Sequence, residues 1–96
     1  MKPYSPPKIT PTVTLMLVTP ALAAGWLAKN KRNRPLRANH KNLIQEDIEQ
    51  GRWRLSHQPI AFDMQGWLID GQHRLQAIVD SGIAVWMLVA RDIPHE

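Results

Sequence analysis

The residues best suited to chemistry form one short polar run, Asp70-Gly71-Gln72-His73-Arg74, between an apolar segment and a helical pattern. A strand that turns through glycine into a helix presents unpaired backbone N–H groups and the positive end of the helix dipole at one point. Gly71 lets a phosphate approach the backbone, Arg74 can bring a guanidinium over the helix start, and His73 can add a donor or a charge. The spacing indicates an anion site.

The same residues also fit a capped helix start without a ligand. Asp70 is a good N-cap whose carboxylate would accept from the N–H of Gln72 or His73. Asp70 and Arg74 would form an i,i+4 pair worth about 0.3 kcal/mol. On spacing alone a capped helix start is commoner than an anion site. Asp70 would then compete with a phosphate for the N–H groups of the helix start, unless its carboxylate accepts from a ligand hydroxyl or holds a divalent ion that bridges to the phosphates.

The elements that would position this run alternate between strands and helices. Apolar periodicity and turn residues predict four strands (12–18, 58–62, 67–69 and 83–89) and three helices (21–30, 37–50 and 72–81). Thr19-Pro20 predicts a capped start for the first helix, and Gly51 and Gly82 predict the ends of the other two. The expected fold is a small α+β domain over residues 12–96, preceded by a flexible proline-rich arm at 1–11.

Apolar residues at helical and strand spacing predict the core. Leu43, Ile44 and Ile48 repeat at helical spacing along the second helix. Trp26, Trp67 and Trp86 are predicted to pack in the core or the hairpin.

Composition limits the possible functions. The 96 residues contain no cysteine, which excludes disulfides, thiolate metal sites and a cysteine nucleophile. The formal net charge of +4 favours a polyanionic partner. The apolar run near the start is interrupted by proline and threonine and is too short to span a membrane, so a cytoplasmic protein without a membrane partner is expected.

Basic residues cluster before the second helix and again after it. This basic surface, which could contact a nucleic-acid backbone or a protein partner or simply face solvent, consists of Lys29, Lys31, Arg32, Arg37, Lys41, Arg52 and Arg54. Arg52-Trp53-Arg54 could stack a base, although a core anchor is the commoner role for such a tryptophan. Asp63 and Asp70 could form a nuclease metal pair, but a turn already explains Asp63. The histidines lack metal-ligand spacing, and no metal site is predicted.

From Asn33 to about Arg91 the sequence resembles the ParB/sulfiredoxin-like superfamily, in particular its DGQHR-containing branch in phages and mobile elements. The motifs follow in order: Asn33-Arg34-Pro35, a helix ending at Gly51, Gln58-Pro59-Ile60, Gly71-Gln72-His73-Arg74, Ala77, Gly82 and the strand 84–89. The fourth motif matches the G-x-x-R nucleotide-binding motif of that superfamily.

This resemblance implies a nucleotide site. Gly71 and the N–H groups after it would contact phosphates, Arg74 would be the phosphate-binding arginine, and Asn33 and Arg34 would make a second contact across the pocket. A nucleoside triphosphate with magnesium is the implied cofactor, and NTPase or nuclease activity stays open. Gln72 stands where sulfiredoxins have their catalytic cysteine, so sulfinic acid reduction is excluded. ParB partitioning proteins have an acidic residue at this position, so the resemblance implies only part of their triphosphate site in this chain.

Two functions therefore stay open. The first is a ParB-like domain that binds a nucleotide or DNA at Asp70 to Arg74. The second is a small phage-type inhibitor that keeps the fold as a scaffold and blocks a host defence protein, for which the proline-rich arm and the separated basic and acidic segments of 29–49 are suitable.

Overall fold

The computed structural model describes residues 10–30 and 35–94. Within these residues the chain forms seven elements: β1 (Thr12–Val18), α1 (Pro20–Leu27), α2 (Ala38–Glu49), β2 (Ile60–Asp63), β3 (Leu68–Asp70), α3 (Gln72–Ser81) and β4 (Val85–Ile93). Three helices and a four-stranded mixed sheet confirm the predicted small α+β fold. Most of the predicted arm, residues 1–9, lies outside the described residues. No helix in the described part of the chain is long and apolar enough to cross a membrane.

The sheet has the strand order β1-β4-β2-β3. β4 pairs antiparallel with β1 and parallel with β2, while β3 pairs antiparallel with β2. The chain passes from β2 to its parallel partner β4 through β3 and α3. Because β3 is an edge strand, the turn from β3 into α3 lies at that edge of the sheet, and Gly71 forms this turn.

The core lies between the helices and one face of the sheet. Its largest fully buried side chains come from α3 and all four strands, and include Phe62, Ile60, Leu75, Met87 and Val18. Trp26 of α1 packs edge-on against Phe62 with ring centroids 5.1 Å apart. α1 and α2 both pack on α3, which therefore fixes their positions relative to the sheet.

Local sequence signals predicted several helix starts and ends correctly. Thr19 Oγ1 accepts from the N–H of Leu22 at 3.1 Å, and Pro20 is the first residue of α1, as predicted. α3 has the predicted bounds and ends at Gly82 with φ 70°. α1 ends at Leu27 rather than residue 30, because the chain turns there and the carbonyl of Lys29 accepts from the N–H of Leu68, the first residue of β3, at 2.9 Å.

Two predictions were wrong, those for Asp70 and Trp86. Asp70 is not the N-cap of α3: it is the last residue of β3, paired with Ala61, and Gly71 takes the cap position without a side-chain hydrogen bond. Leu43 is 65% exposed, because α2 turns a different face to the core. Trp86 is 55% exposed, because it lies on the sheet face away from the core. We call that surface, formed by Val13, Leu15 and Leu17 of β1 with Trp86, the outer face.

Candidate functional site

A cleft of about 740 Å³ runs along α2, between that helix, the start of α3 and the irregular segment 52–58. Arg37, His40, Ile44 and Asp47 line one wall at helical spacing. Because an α-helix rises 1.5 Å per residue, this wall is about 15 Å long. The run predicted from the sequence, Asp70 to Arg74, also lines this cleft. We call this space the α2–α3 cleft.

Two helix N-termini meet at this cleft. Neither α2 nor α3 has a side-chain hydrogen bond at its cap or an acidic residue in its first turn. The first hydrogen bonds of the helices run from Lys41 N–H to the carbonyl of Arg37 and from Leu75 N–H to the carbonyl of Gly71, both at 3.0 Å. In the described part of the chain, no group accepts from the backbone N–H groups of residues 38–40, 73 and 74. Both helix starts therefore retain donors and positive potential.

Arginine outnumbers acid along the cleft. Its lining carries Arg37, Arg52, Arg54 and Arg74 against Asp47 and Asp70. Arg52 is partly neutralised, because its Nε lies 3.1 Å from Asp47 Oδ1 and its Nη2 lies 3.4 Å from Glu46 Oε1. Arg37 and Arg54 have no ion pair within the described residues. These two side chains are the clearest candidates to contact an anion.

Gly71 is required by the fold at the edge of the cleft. Its φ is 107°, a conformation that side chains rarely adopt. A Cβ atom there would collide with Cδ1 of Ile60 and lie 3.4 Å from Nη2 of Arg74. The glycine thus lets the β3–α3 turn pack directly on β2, which is a reason for its presence independent of any phosphate.

Arg74 is partly used by the protein itself. Its Nη1 donates to the carbonyl of Gln58, and its Nη2 donates to the carbonyl of Pro59 at 3.2 Å. The predicted pair with Asp70 is present at 3.9 Å. The side chain is 13% exposed, and burial lowers the pKa of Arg74 against the opposing effect of Asp70. A ligand would meet only the remaining N–H groups of this guanidinium.

His73 accepts a hydrogen bond in this arrangement instead of donating one. Its Nε2 accepts from the backbone N–H of Arg37 at 2.9 Å, and its ring stacks on His40 with centroids 4.6 Å apart. Burial, and after it the charges of His40 and Arg37, lower the pKa of His73. Because Nε2 accepts a hydrogen bond, the imidazole in this contact is neutral and carries its proton on Nδ1.

Gln72 faces the protein interior. It is 8% exposed, and its Oε1 accepts from Nδ2 of Asn30 at 2.6 Å. Sequence reasoning missed Asn30, because 42 residues separate the partners and no local spacing connects them. The predicted contacts of Asn33 and Arg34 across the pocket lie outside the described residues.

The predicted basic surface divides into residues with different roles. Lys41 bridges α2 to α3, its Nζ 2.8 Å from Asp80 Oδ2 with 13% of the side chain exposed. Arg37 and Arg54 line the cleft beside the ion-paired Arg52, whereas Lys29 is exposed in the turn after α1 and outside the cleft lining. Lys31 and Arg32 lie outside the described residues. The described basic residues thus do not form one continuous strip.

Trp53 lies between the core and the cleft. It packs against the buried cluster and also lines the cleft, as expected for an anchor at the end of α2. Its Nε1 is buried and has no hydrogen-bond partner within the described residues. Such a donor costs free energy when it is left unsatisfied, by about 1–3 kcal/mol.

Comparison of the chain with protein-family models, with curated proteins and with solved structures found no match in any of the three. The resemblance to the ParB/sulfiredoxin-like superfamily therefore rests on the ordered sequence motifs.

Proposed function

We propose that this chain is a ParB-like domain that binds a phosphate-bearing ligand, a nucleotide or DNA, in the α2–α3 cleft. The observation that carries the proposal is the convergence of two helix starts without side-chain caps on one cleft that also holds Arg37 and Arg54. Helix N-termini and arginine guanidinium groups both favour phosphate oxygens, and here they act on the same space.

The size of the cleft favours a nucleotide over a long stretch of DNA backbone. Small-molecule sites commonly have volumes of roughly 300–1,000 Å³, and the cleft has about 740 Å³. Two of the cations that could have extended the site over the surface, Lys41 and Arg52, are engaged in ion pairs. A nucleotide could place its phosphates between the two helix starts and its base toward Trp53.

A magnesium ion would enter this site with the phosphates. Within residues 10–30 and 35–94 no group of three or more His, Asp or Glu side chains could hold a metal ion. Asp70 is the carboxylate nearest the α3 start, with 65% of its side chain exposed, and could supply one ligand to a phosphate-bound ion. The proposed activity is binding, and no hydrolytic step is derived from these residues.

Calorimetric titration of the wild-type chain tests this proposal. The panel comprises the four ribonucleoside triphosphates, inorganic triphosphate, and short single- and double-stranded DNA, each with and without magnesium at low and moderate salt. We expect at least one nucleotide to bind at micromolar to millimolar concentration and to lose affinity as salt rises. Binding of DNA but of no nucleotide would show that the phosphate-bearing ligand is a nucleic acid. No binding by any member of the panel would refute the proposal.

A second candidate function, inhibition of a host defence protein, is favoured by the outer face. This surface exposes Leu15, Leu17 and Trp86 side by side, an apolar patch that suits a protein partner. If the chain inhibits its target through the outer face rather than through the segments of 29–49, Trp86→Lys abolishes inhibition while Arg37→Ala leaves it unchanged. Loss of inhibition in Arg37→Ala alone would point instead to the segments of 29–49 as the inhibitory surface.

A further inference from the structure

We propose that His73 is a proton-sensitive contact that holds the start of α2 against α3 when its imidazole is neutral and releases it when the imidazole is protonated. This inference does not depend on ligand binding, because it concerns a contact within the free protein. If the α2–α3 cleft binds a ligand, this contact would make the position of the first turn of α2, which lines the cleft, depend on pH.

The geometry of the contact requires a neutral ring. Nε2 of His73 accepts from the backbone N–H of Arg37, the N-cap residue of α2. Because α2 has no side-chain cap of its own, the imidazole of a different helix supplies the acceptor. Protonation turns Nε2 into a donor and places two N–H groups against each other, so the hydrogen bond is lost.

The charges around His73 oppose its protonation. α2 contributes Arg37 and the stacked His40, whereas Arg74 in the next position of α3 is turned to the carbonyls of Gln58 and Pro59. At this end of the described cleft, Asp70 of β3 is the acidic side chain, and it is paired with Arg74 at 3.9 Å. A protonated His73 would therefore add a cation to a cationic cluster at two helix N-termini.

The release is confined to the first turn of α2. One turn further along, the 2.8 Å bridge between Lys41 and Asp80 holds α2 to α3. The hydrogen bond from Lys41 lowers the pKa of Asp80, so this bridge persists in mildly acidic solution. Residues 37–40, which include two that line the cleft wall, are therefore the part expected to move.

The direction of the pH effect follows from linkage. Burial and neighbouring charge lower the pKa of His73 from 6.5, so the unfolded chain binds this proton more readily than the folded chain. The contact contributes its full stabilisation above about pH 6.5, and the contribution is lost as the pH falls through the lowered pKa.

Nuclear magnetic resonance of the wild-type chain tests the contact directly. The ring C–H signals of His73 and the amide signal of Arg37 are followed together from pH 8 to pH 5. We expect the Arg37 amide proton to move upfield with the midpoint of His73 titration, since it loses its acceptor. Titration of His73 with no matching change at Arg37 would overturn the proposal.

Two variants give a second, independent readout. His73→Gln keeps an acceptor that does not titrate, and should remove the pH dependence of the Arg37 amide. His73→Lys carries a permanent charge, and should give the acidic amide position of Arg37 already at pH 8. We also expect the thermal midpoint of the wild type to fall by about 4 °C more than that of His73→Gln between pH 7.5 and pH 5.5, the scale of one modest hydrogen bond in a small domain. Equal falls would contradict the contact.

Discussion

Arg74 donates from Nη2 to the carbonyl oxygen of Pro59 at 3.2 Å and so connects the first turn of α3 to the segment that leads into β2. A second hydrogen bond, from Nη1 to the carbonyl of Gln58, strengthens the same connection. The arginine that the sequence marks as a phosphate ligand is therefore also a structural residue. A loss of binding in an Arg74 variant would not by itself identify the ligand site.

The first prediction concerns the stability of Arg74→Ala. Removal of a mostly buried guanidinium leaves two backbone carbonyls without their donor, and hydrogen bonds to charged groups contribute about 1.5–3 kcal/mol. We expect urea denaturation to show a loss of about 2 kcal/mol in the free energy of unfolding. The control Arg54→Ala removes an exposed arginine of the same cleft and should change that free energy by less than about 0.5 kcal/mol. Equal stability of the two variants would contradict the structural role of Arg74.

The second prediction concerns the contact between Gly71 and Ile60. In Gly71→Ala the alanine has to adopt the positive φ of Gly71, which is strained for a side-chain residue, and its Cβ atom collides with Cδ1 of Ile60. Overpacking alone costs about 1–3 kcal/mol. Gly82→Ala is the matched control, because Gly82 has φ 70° with nothing near a new Cβ atom, so only the conformational strain of about 1 kcal/mol applies.

The collision can be separated from the strain by changing Ile60. Valine lacks Cδ1, so in an Ile60→Val background Gly71→Ala should cost less than it does in the wild type. Denaturant unfolding of the four proteins of this cycle gives the coupling between the two positions. A cost of Gly71→Ala that is the same in both backgrounds would show that Ile60 is not the obstacle.

The third prediction concerns the bridge between Lys41 and Asp80. A double-mutant cycle with Lys41→Met and Asp80→Asn should give a coupling of up to about 1 kcal/mol at pH 7. The hydrogen bond from Lys41 is the largest cause that lowers the pKa of Asp80, so the coupling is present above pH 3.8 and disappears as the pH falls through the lowered value. A coupling that persists in acid in which nuclear magnetic resonance shows the Asp80 carboxyl to be protonated would contradict an ionic bridge.

Local sequence signals predicted the elements of this fold well. Thr19-Pro20 begins α1 and Gly82 ends α3 because each signal acts through backbone groups within a few residues. Asp70 was misplaced because it lies in β3, where pairing with Ala61 outweighs its preference for a cap position. Trp86 was misplaced because its exposure depends on which face of the sheet the helices cover.

The contacts that shape the candidate site could not be predicted in this way. The run Asp70 to Arg74 was found from its residue types, and the structure brings it to the cleft. The acceptor role of His73 depends on the N–H of Arg37, 36 residues earlier, and the role of Arg74 depends on carbonyls 15 and 16 residues earlier. No spacing rule covers such pairs, because they form only when α2, α3 and β2 are packed together.

The fourth prediction compares two neighbouring residues of β4. Trp86 is 55% exposed on the outer face, while Met87 is 2% exposed on the core face. Trp86→Thr should change the free energy of unfolding by less than about 0.5 kcal/mol and reduce the binding of an apolar dye. Met87→Thr should lower the free energy of unfolding by about 2–5 kcal/mol, because this substitution opens a cavity and buries a hydroxyl. Similar losses at both positions would show that the outer face is covered.

The most direct test of nucleotide binding in the α2–α3 cleft is calorimetric titration of a nucleoside triphosphate with magnesium into three proteins: the wild type, Arg37→Ala and Lys29→Ala. Both variants remove one positive charge, but only Arg37 lines the cleft. Loss of a charge-assisted hydrogen bond of about 1.4 kcal/mol weakens binding about tenfold, so Arg37→Ala should raise Kd about tenfold while Lys29→Ala changes it less than about twofold. Equal affinity of all three proteins, or no binding by the wild type, would contradict a nucleotide site in this cleft.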